Sequence, residues 1–301
     1  MLANSLNVSI IIVNYNTTDL TIKCIESIKR FTVKNSYEVI LIDNASQDRS
    51  ILKVPEIFPE IKFIANDTNV GFGRANNIGI KMALGKYVFL LNTDAFLLSD
   101  AIFSFWTFME GKENANIACC GGALVDENKE TVVSYGNFPS VLEAFSSIGF
   151  FVLYKKYYKR HIHSGVLNYS EEAREVDFIC GADMFIRRSV LDKVGLFDPD
   201  FFLYFEETEL SFRIFKAGYK SFIIPNVNII HLGGGSQKDN GGINLKQVEL
   251  FSKSRNIYFE KCYGKKTVMP VKILYTIRAL IYGLSTWNKQ YTRVAAIILQ
   301  S

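Results

Sequence analysis

Four short apolar runs set the strongest constraint on how this chain can fold. VSIIIVN (8–14), YEVILID (37–43), IKFIA (61–65) and YVFLL (87–91) are each of strand length and rich in β-branched or aromatic residues. Between them, apolar residues recur at helical spacing: Leu20, Cys24, Ile25 and Ile28 after the first run, and Ala75, Ile78, Met82 and Ala83 before the fourth. Strand and helix in alternation predict a parallel sheet covered on both faces. Such sheets bind ligands beyond the carboxyl ends of their strands. Three of these runs end there in polar clusters: Asn14-Tyr15-Asn16, Asp43-Asn44 and Asn92-Thr93-Asp94. A carboxylate at a core strand's tip is costly unless something pairs with it. The three ends together predict a site.

With 301 residues the chain can bury about three quarters of its unfolded surface and needs no disulfide or metal staple. Its five cysteines include no C-x-x-C pair, so a reducing compartment is expected and the cysteines read as packing residues. No basic leader precedes a long apolar run, and the longest uncharged tail segment, 279–288, is too short to span a bilayer. A cytoplasmic protein is expected. The net charge of +4 hides an asymmetry: residues 261–301 carry seven cations and no acid. The body is mildly acidic, which argues against a broad nucleic-acid surface.

GFGRANNIGI (71–80) resembles a dinucleotide fingerprint only weakly, because Asn76 stands at the third glycine position and the segment follows the third strand. A glycine turn opening a helix, with Arg74 facing an anion, is the preferred reading. FICGADMFIR (178–187) reads as a later strand. LYFEETELSFRIFKA (203–217) reads as a helix with Leu203, Leu210, Ile214 and Ala217 on its apolar stripe and Gly218 as its cap. Glu206, Glu207 and Glu209 suit a helix's first turn electrostatically. The FFLYF before them predicts an aromatic-walled pocket that raises a glutamate's pKa toward general-base use. SFIIP and NVNIIHL read as two further strands leading into GGGS (233–236). There, His231 could meet a metal or a diphosphate, and Arg255, on a predicted helix, an anion.

In this order, VSIIIVNYN (8–16), LIDNASQDRS (41–50), NVGFGRANNIGI (69–80), LLNTDAFL (91–98), the stretch 180–219 and HLGGGS (231–236) resemble glycosyltransferase family 2, most of all its bacterial rhamnosyltransferase-like branch. The resemblance covers about the first 260 residues. It implies an inverting enzyme of the GT-A fold: a mixed, mostly parallel, Rossmann-like sheet flanked by helices. A catalytic domain is expected over 1–240, with a nucleotide-binding half (1–125) and an acceptor half (126–240), followed by a helical region over 241–301. By the resemblance, Asp43 holds the base of a nucleoside-diphosphate-sugar, with Tyr15, Arg74 and Arg255 among the donor contacts. Asn92-Thr93-Asp94 stands for the family's Asp-x-Asp motif, with Asn92 near the ribose and Asp94 binding Mg2+ or Mn2+, joined by His231. Gly181, Ala182 and Asp183 fall on the sugar or acceptor side. Glu206-Glu207 stands for the family's Glu-Asp pair, so Glu207 is the expected base and Glu206 its fallback. Two departures are Asn92 for the first aspartate and Glu207 for the usual aspartate.

The implied reaction moves a sugar from dTDP-rhamnose or a UDP-sugar to a hydroxyl of a glycan or lipid-linked glycan, in bacterial surface-polysaccharide synthesis. A sugar nucleotidyltransferase is the first alternative. It would carry a glycine-rich cationic loop after the first strand, where this chain has NYNTTDL. A non-catalytic sugar-binding module is the second, and it would not need Asp94 and Glu207 together. If the tail is one helix, Lys272, Arg278, Lys289 and Arg293 fall within an arc of about 120° opposite an apolar face, as on a membrane surface. Residues 265–301 are therefore expected at the inner face of the cell membrane, with packing on the domain or in a homodimer as the other readings. FSSIGFFVLYKKYYKRHIH (145–163) has the same character and is expected as an acceptor-side lid or second membrane contact.

Overall fold

A computed structural model describes residues 6–159, 172–233 and 243–301. The glycines 234 and 235, Ser236 and the end of the 145–163 segment lie outside the described residues. The first half of the chain runs β1 (Val8–Asn14), α1 (Thr18–Phe31), β2 (Tyr37–Asp43), α2 (Val54–Ile57), β3 (Lys62–Ala65), α3 (Phe72–Met82), β4 (Tyr87–Leu91), β5 (Ala95–Leu97), α4 (Ala101–Glu110) and β6 (Ile117–Val125). Next come β7 (Tyr135–Gly136), α5 (Val141–Ser146), α6 (Lys155–Tyr157), β8 (Arg174–Val176), β9 (Phe178–Ile179), β10 (Asp183–Arg187) and α7 (Arg188–Val194). The last elements are α8 (Glu206–Lys216), β11 (Lys220–His231), α9 (Leu245–Tyr263), α10 (Val268–Ser285) and α11 (Gln290–Gln300).

The main sheet has the order β3-β2-β1-β4-β10-β6-β11-β5, with β8 also paired to β11, while β7 and β9 form a separate ribbon. The four strands read first from the sequence are parallel to one another. Beyond them β10 runs against both β4 and β6, and β5 runs against β11. Successive residues of β1 enter opposite cores: Val8, Ile10 and Ile12 on the face covered by α1, and Ile11 on the face covered by α3. Strand β4 alternates likewise, with Tyr87, Phe89 and Leu91 on the first face and Val88 and Leu90 on the second. Burial on both faces is why these runs read as continuously apolar.

Three expectations about elements change. Residues 178–187 do not form one strand: β9 ends at Ile179 and β10 begins at Asp183, with Cys180, Gly181 and Ala182 as a break between them. The two runs around Pro225 form the single strand β11, whose pairing with β6 shifts register between Ile224 and Asn228. A proline cannot donate to the ladder, so the irregularity falls beside it. The tail is not one helix: α10 and α11 are separate helices that pack together through Ala279, Val294, Ala295 and Ile298. A helical wheel drawn through Lys289 and Arg293 in continuation of Lys272 therefore has no physical meaning.

Candidate active site

The site begins with a buried polar network at the carboxyl ends of β1, β2 and β4. Asn14 and Asp43 are cross-strand partners, and Asn14 Nδ2 donates to Asp43 Oδ1 at 2.9 Å and to Ser46 Oγ at 2.8 Å. Asn14 Oδ1 accepts from Thr17 Oγ1 at 3.0 Å and Thr21 Oγ1 at 2.9 Å. Thr17 in turn shares a 3.0 Å hydrogen bond with Thr93, the residue before Asp94. Asp43 also accepts from the Ser46 backbone N–H and hydroxyl, which accounts for a carboxylate that is only 5% exposed. Tyr15, half-buried, follows directly at the end of β1.

After β4 the chain turns through Asn92–Asp94 and enters β5, whose Ala95 pairs with His231 at the end of β11. That pairing brings the end of the core strand to the far edge of the sheet, so Asp94 Oδ1 lies 3.5 Å from His231 Nε2. The Leu232 N–H donates to the Asp94 carbonyl and locks the two segments together. Among the described residues no cluster of three or more His, Cys, Asp or Glu side chains is assembled. One carboxylate and one imidazole form a partial donor set, and this suits a cation that completes its shell with phosphate oxygens and water.

Glu206 and Glu207 stand at the N-terminus of α8, not within a longer helix begun at Leu203. The two preceding residues, Tyr204 (φ 71°) and Phe205 (φ 67°), are both left-handed without being glycine. Such conformations cost on the order of 1–3 kcal/mol each and persist only where surroundings impose them. Here the Phe205 ring packs against Phe251 and Tyr258, and Tyr204 OH accepts from Gln247 Nε2 at 2.8 Å. The strained pair turns the chain so that the two glutamates enter a cavity of about 440 Å3. Asn92, Gly181, Leu203, Glu206, Glu207 and Phe251 are among its lining residues.

The two glutamates differ. Glu206 is 3% exposed, and its Oε2 has no hydrogen-bond partner among the described residues. Burial, reinforced by the charge of Glu207, pushes its carboxyl well above the usual range. Glu207 is raised by burial as well, but its own backbone N–H and the Thr208 hydroxyl and N–H favour its ionised form. Both carboxyls are thus shifted up, and Glu206, which lacks these stabilising donors, the more strongly. Glu209 is spent elsewhere: both its oxygens accept from Arg213, at 2.7 and 2.8 Å. Cys180 links the two halves of the site. Its thiol is pushed up to about 12, chiefly by burial, with the charges of Glu207, Asp183 and Asp94 all contributing. Cys180 and Glu207 line the same cavity.

Three assigned residues make contacts that the sequence does not reveal. Arg74 is exposed, and its Nε donates to the Pro199 carbonyl at 2.6 Å. The glycines around it serve packing, since a Cβ at Gly71 would collide with the Phe202 carbonyl, and one at Gly79 would sit 2.6 Å from Ile11 Cγ2. The Asp183 side chain is wholly buried beneath β6, where Oδ2 accepts from the Gly122 N–H at 2.6 Å and burial pushes the carboxyl far up. Arg255 is 2% exposed and stacks 4.1 Å from the Tyr275 ring, and its Nε and Nη2 have no partner among the described residues. Gly181 and Ala182 do line the cavity, and Gly181 lies against Glu207. Sequence reading missed Thr17, Thr21 and the strained Tyr204-Phe205 pair. The hydroxyls following Asn14 were the one available signal for the first two.

Comparison with known proteins agrees with this geometry. The family model described as glycosyl transferase family 2 matches residues 9–195. The chain is 26% identical to rhamnosyltransferase WbbL of Escherichia coli K12, over 74% of this chain and 83% of that protein. It is 22% identical to dTDP-rhamnosyl transferase RfbF of Shigella flexneri, over 92% and 86%. It is 24% identical to the N-acetylglucosaminyl-diphospho-decaprenol L-rhamnosyltransferase of Mycobacterium tuberculosis, over 64% and 66%. The fold is similar to that of GalNAc-T7, solved with UDP, GalNAc and Mn2+: TM-score 0.57 and 18% identity, covering 85% of this chain and half of that one. A GT-A sheet with a buried carboxylate pair at its cleft, in a chain that the family model matches over most of its length, makes this protein a glycosyltransferase belonging to glycosyl transferase family 2, similar to bacterial rhamnosyltransferases.

Proposed function

We propose that the protein is a divalent-metal-dependent, inverting glycosyltransferase that moves a sugar from a nucleoside-diphosphate-sugar to a hydroxyl of a glycan or lipid-linked glycan. The observation that carries this reading is that Asn92 and Glu207, from opposite halves of the chain, line one cavity. At about 440 Å3 it is of a size to hold a sugar unit. The rhamnosyltransferase relatives support dTDP-rhamnose as donor, and a UDP-sugar is the competing choice.

Asp43 and its hydrogen-bonded neighbours would receive the base, and Asn92 the ribose. Glu207, as a carboxylate, takes the proton from the acceptor hydroxyl as that oxygen attacks the anomeric carbon. The bond to the diphosphate breaks on the opposite face, and the sugar inverts. Asp94 and His231 would hold Mg2+ or Mn2+, which when bound supplies positive charge to the departing diphosphate. The two unpartnered donors of Arg255 favour an anion nearby. The test is nucleoside diphosphate release from a panel of dTDP- and UDP-sugars, each with Mn2+ or with chelator. Metal-dependent release from one donor, increased by acceptor, is expected. Release that ignores both donor identity and metal would overturn the reading.

A further inference from the structure

Helix α10 turns an apolar stripe outward. Met269, Ile273, Ile277, Leu280 and Leu284 follow one another at three- and four-residue intervals, Ile281 stands beside Leu280, and each of the six is 38–77% exposed. At 100° per residue they span an arc of about 120°. Val271 and Ala279, the helix's buried residues, lie opposite. Lys272 falls on one border of the stripe and Arg278 on the other. At the end of the stripe, in the turn to α11, stands Trp287, 94% exposed and left-handed at φ 52°. Such a tryptophan contributes nothing to the core it faces away from.

A second apolar segment, rich in lysine at its end, is joined to α10 on the helix face opposite the stripe. Tyr275 OH of α10 donates to Glu143 Oε2 of α5 at 2.9 Å, and Phe145 of α5 stacks on Phe150 at 4.5 Å. Val152 and Leu153 follow, 67% and 75% exposed, and then the exposed Lys155, Lys156 and Lys159. Pro139, just before α5, lines the cavity.

We propose that the outer face of α10, with Trp287, is a docking surface for an anionic lipid bilayer, lying in the headgroup region. Cations bordering an apolar stripe let aliphatic groups enter the acyl boundary while the charges remain among phosphates. Residues 261–301 carry no acid, so the surface complements anionic headgroups. A second copy seated on the stripe would set cations against cations. Residues 265–285 are long and apolar enough to cross a membrane. Lys272 and Arg278 near the middle of that stretch make crossing costly and favour lying flat. If the proposed glycosyl transfer holds, the same surface selects a lipid-linked acceptor.

The experiment is co-sedimentation of the full chain with phosphatidylcholine vesicles, with and without phosphatidylglycerol, alongside Trp fluorescence. Binding to the anionic vesicles, a blue shift and release by alkaline carbonate are expected. Lys272→Ala/Arg278→Ala should weaken binding by about tenfold or more, and Leu280→Ser/Leu284→Ser should reduce it. Arg278, Leu280 and Leu284 are exposed and Lys272 is half-buried, and circular dichroism checks that the variants fold. The inference is overturned by equal sedimentation with both vesicle types, by resistance to carbonate, or by a dimer in light scattering that Leu280→Ser/Leu284→Ser dissolves. None of these readouts uses donor turnover, so docking and glycosyl transfer stand or fall separately.

Discussion

Asn14 Nδ2 donates to Asp43 Oδ1 at 2.9 Å, so the ends of two neighbouring strands are fastened by one buried amide. The same amide reaches Thr93 through the Thr17 hydroxyl, coupling the proposed base-binding carboxylate to the segment that carries Asp94.

Asn14→Ala should therefore act at both ends. It leaves Thr17, Thr21 and Asp43 short of a buried partner, a loss of about 1–3 kcal/mol. Expected are a lower melting temperature and weaker nucleoside diphosphate binding by calorimetry in the variant that remains folded. Unchanged affinity would show that the network is scaffold alone.

Asp94 and His231 stand 3.5 Å apart with only two donors between them. Asp94→Asn should abolish the Mn2+-dependent part of donor binding. His231→Ala should weaken it by about tenfold or more while the metal-independent part persists. Titrations with and without chelator separate the parts. If chelator changes nothing in the wild type, the pair binds no cation.

The glutamate pair predicts two pH effects. Glu206 has its folded pKa raised above the unfolded value near 4.3, chiefly by burial and then by Glu207. The native state thus binds more protons than the unfolded state once pH exceeds that value. The associated stability is complete below about pH 4.3 and is lost as pH rises through the folded pKa. Glu206→Gln should accordingly match wild-type melting near pH 4 and exceed it increasingly toward pH 8. Glu207→Gln should remove transfer while donor affinity stays within about threefold. Wild-type transfer should rise with pH along an acidic limb set by Glu207, itself shifted up. A variant that keeps turnover at position 207 moves the base to Glu206.

The first four strands and three polar strand ends were readable because burial on both faces leaves an unbroken apolar run, and a sudden Asn or Asp then marks its edge. Less visible were features made by contacts far apart in sequence. Strand β5 is three residues long and exists through its pairing with β11. The break at Cys180–Ala182 lies inside an otherwise strand-like run, and only Gly181 hints at it. The turn after Ser285 contains neither glycine nor proline. Trp287 adopts the left-handed conformation there, and Asn288 Oδ1 accepts from the Gln290 N–H. Tyr204 and Phe205 likewise give no local sign of their strain, because the aromatic cluster of α9 imposes it.

Arg213 and Glu209 predict a purely structural effect. Besides the bidentate pair, Arg213 donates to the Val194 and Leu196 carbonyls at 2.6 and 2.7 Å, tying α8 to the end of α7. Glu209→Ala leaves the part-buried Arg213 guanidinium with only its two carbonyl acceptors and should cost about 1–3 kcal/mol by urea unfolding. Any loss of turnover should follow the folded fraction; a larger loss would return Glu209 to the catalytic group.

Two glycines with positive φ differ in what a side chain would meet. Gly218 (φ 86°) closes α8 with nothing within 4 Å of where a Cβ would stand, so Gly218→Ala should cost only the left-handed penalty of about 1 kcal/mol. Gly71 (φ 89°, ψ 165°) lies in a region that essentially only glycine occupies, and its Cβ would also collide with the Phe202 carbonyl, which accepts from the Phe72 N–H. Phe202 lies in the loop leading into Tyr204, Phe205 and Glu206, so displacing it moves the strained turn that aims both glutamates. Gly71→Ala should therefore cost clearly more stability than Gly218→Ala, about 2 kcal/mol or more. It should also lower kcat beyond the folded fraction, while Gly218→Ala leaves kcat unchanged. Equal effects of the two substitutions on stability and kcat would detach the Gly71–Phe202 contact from the positioning of Glu207.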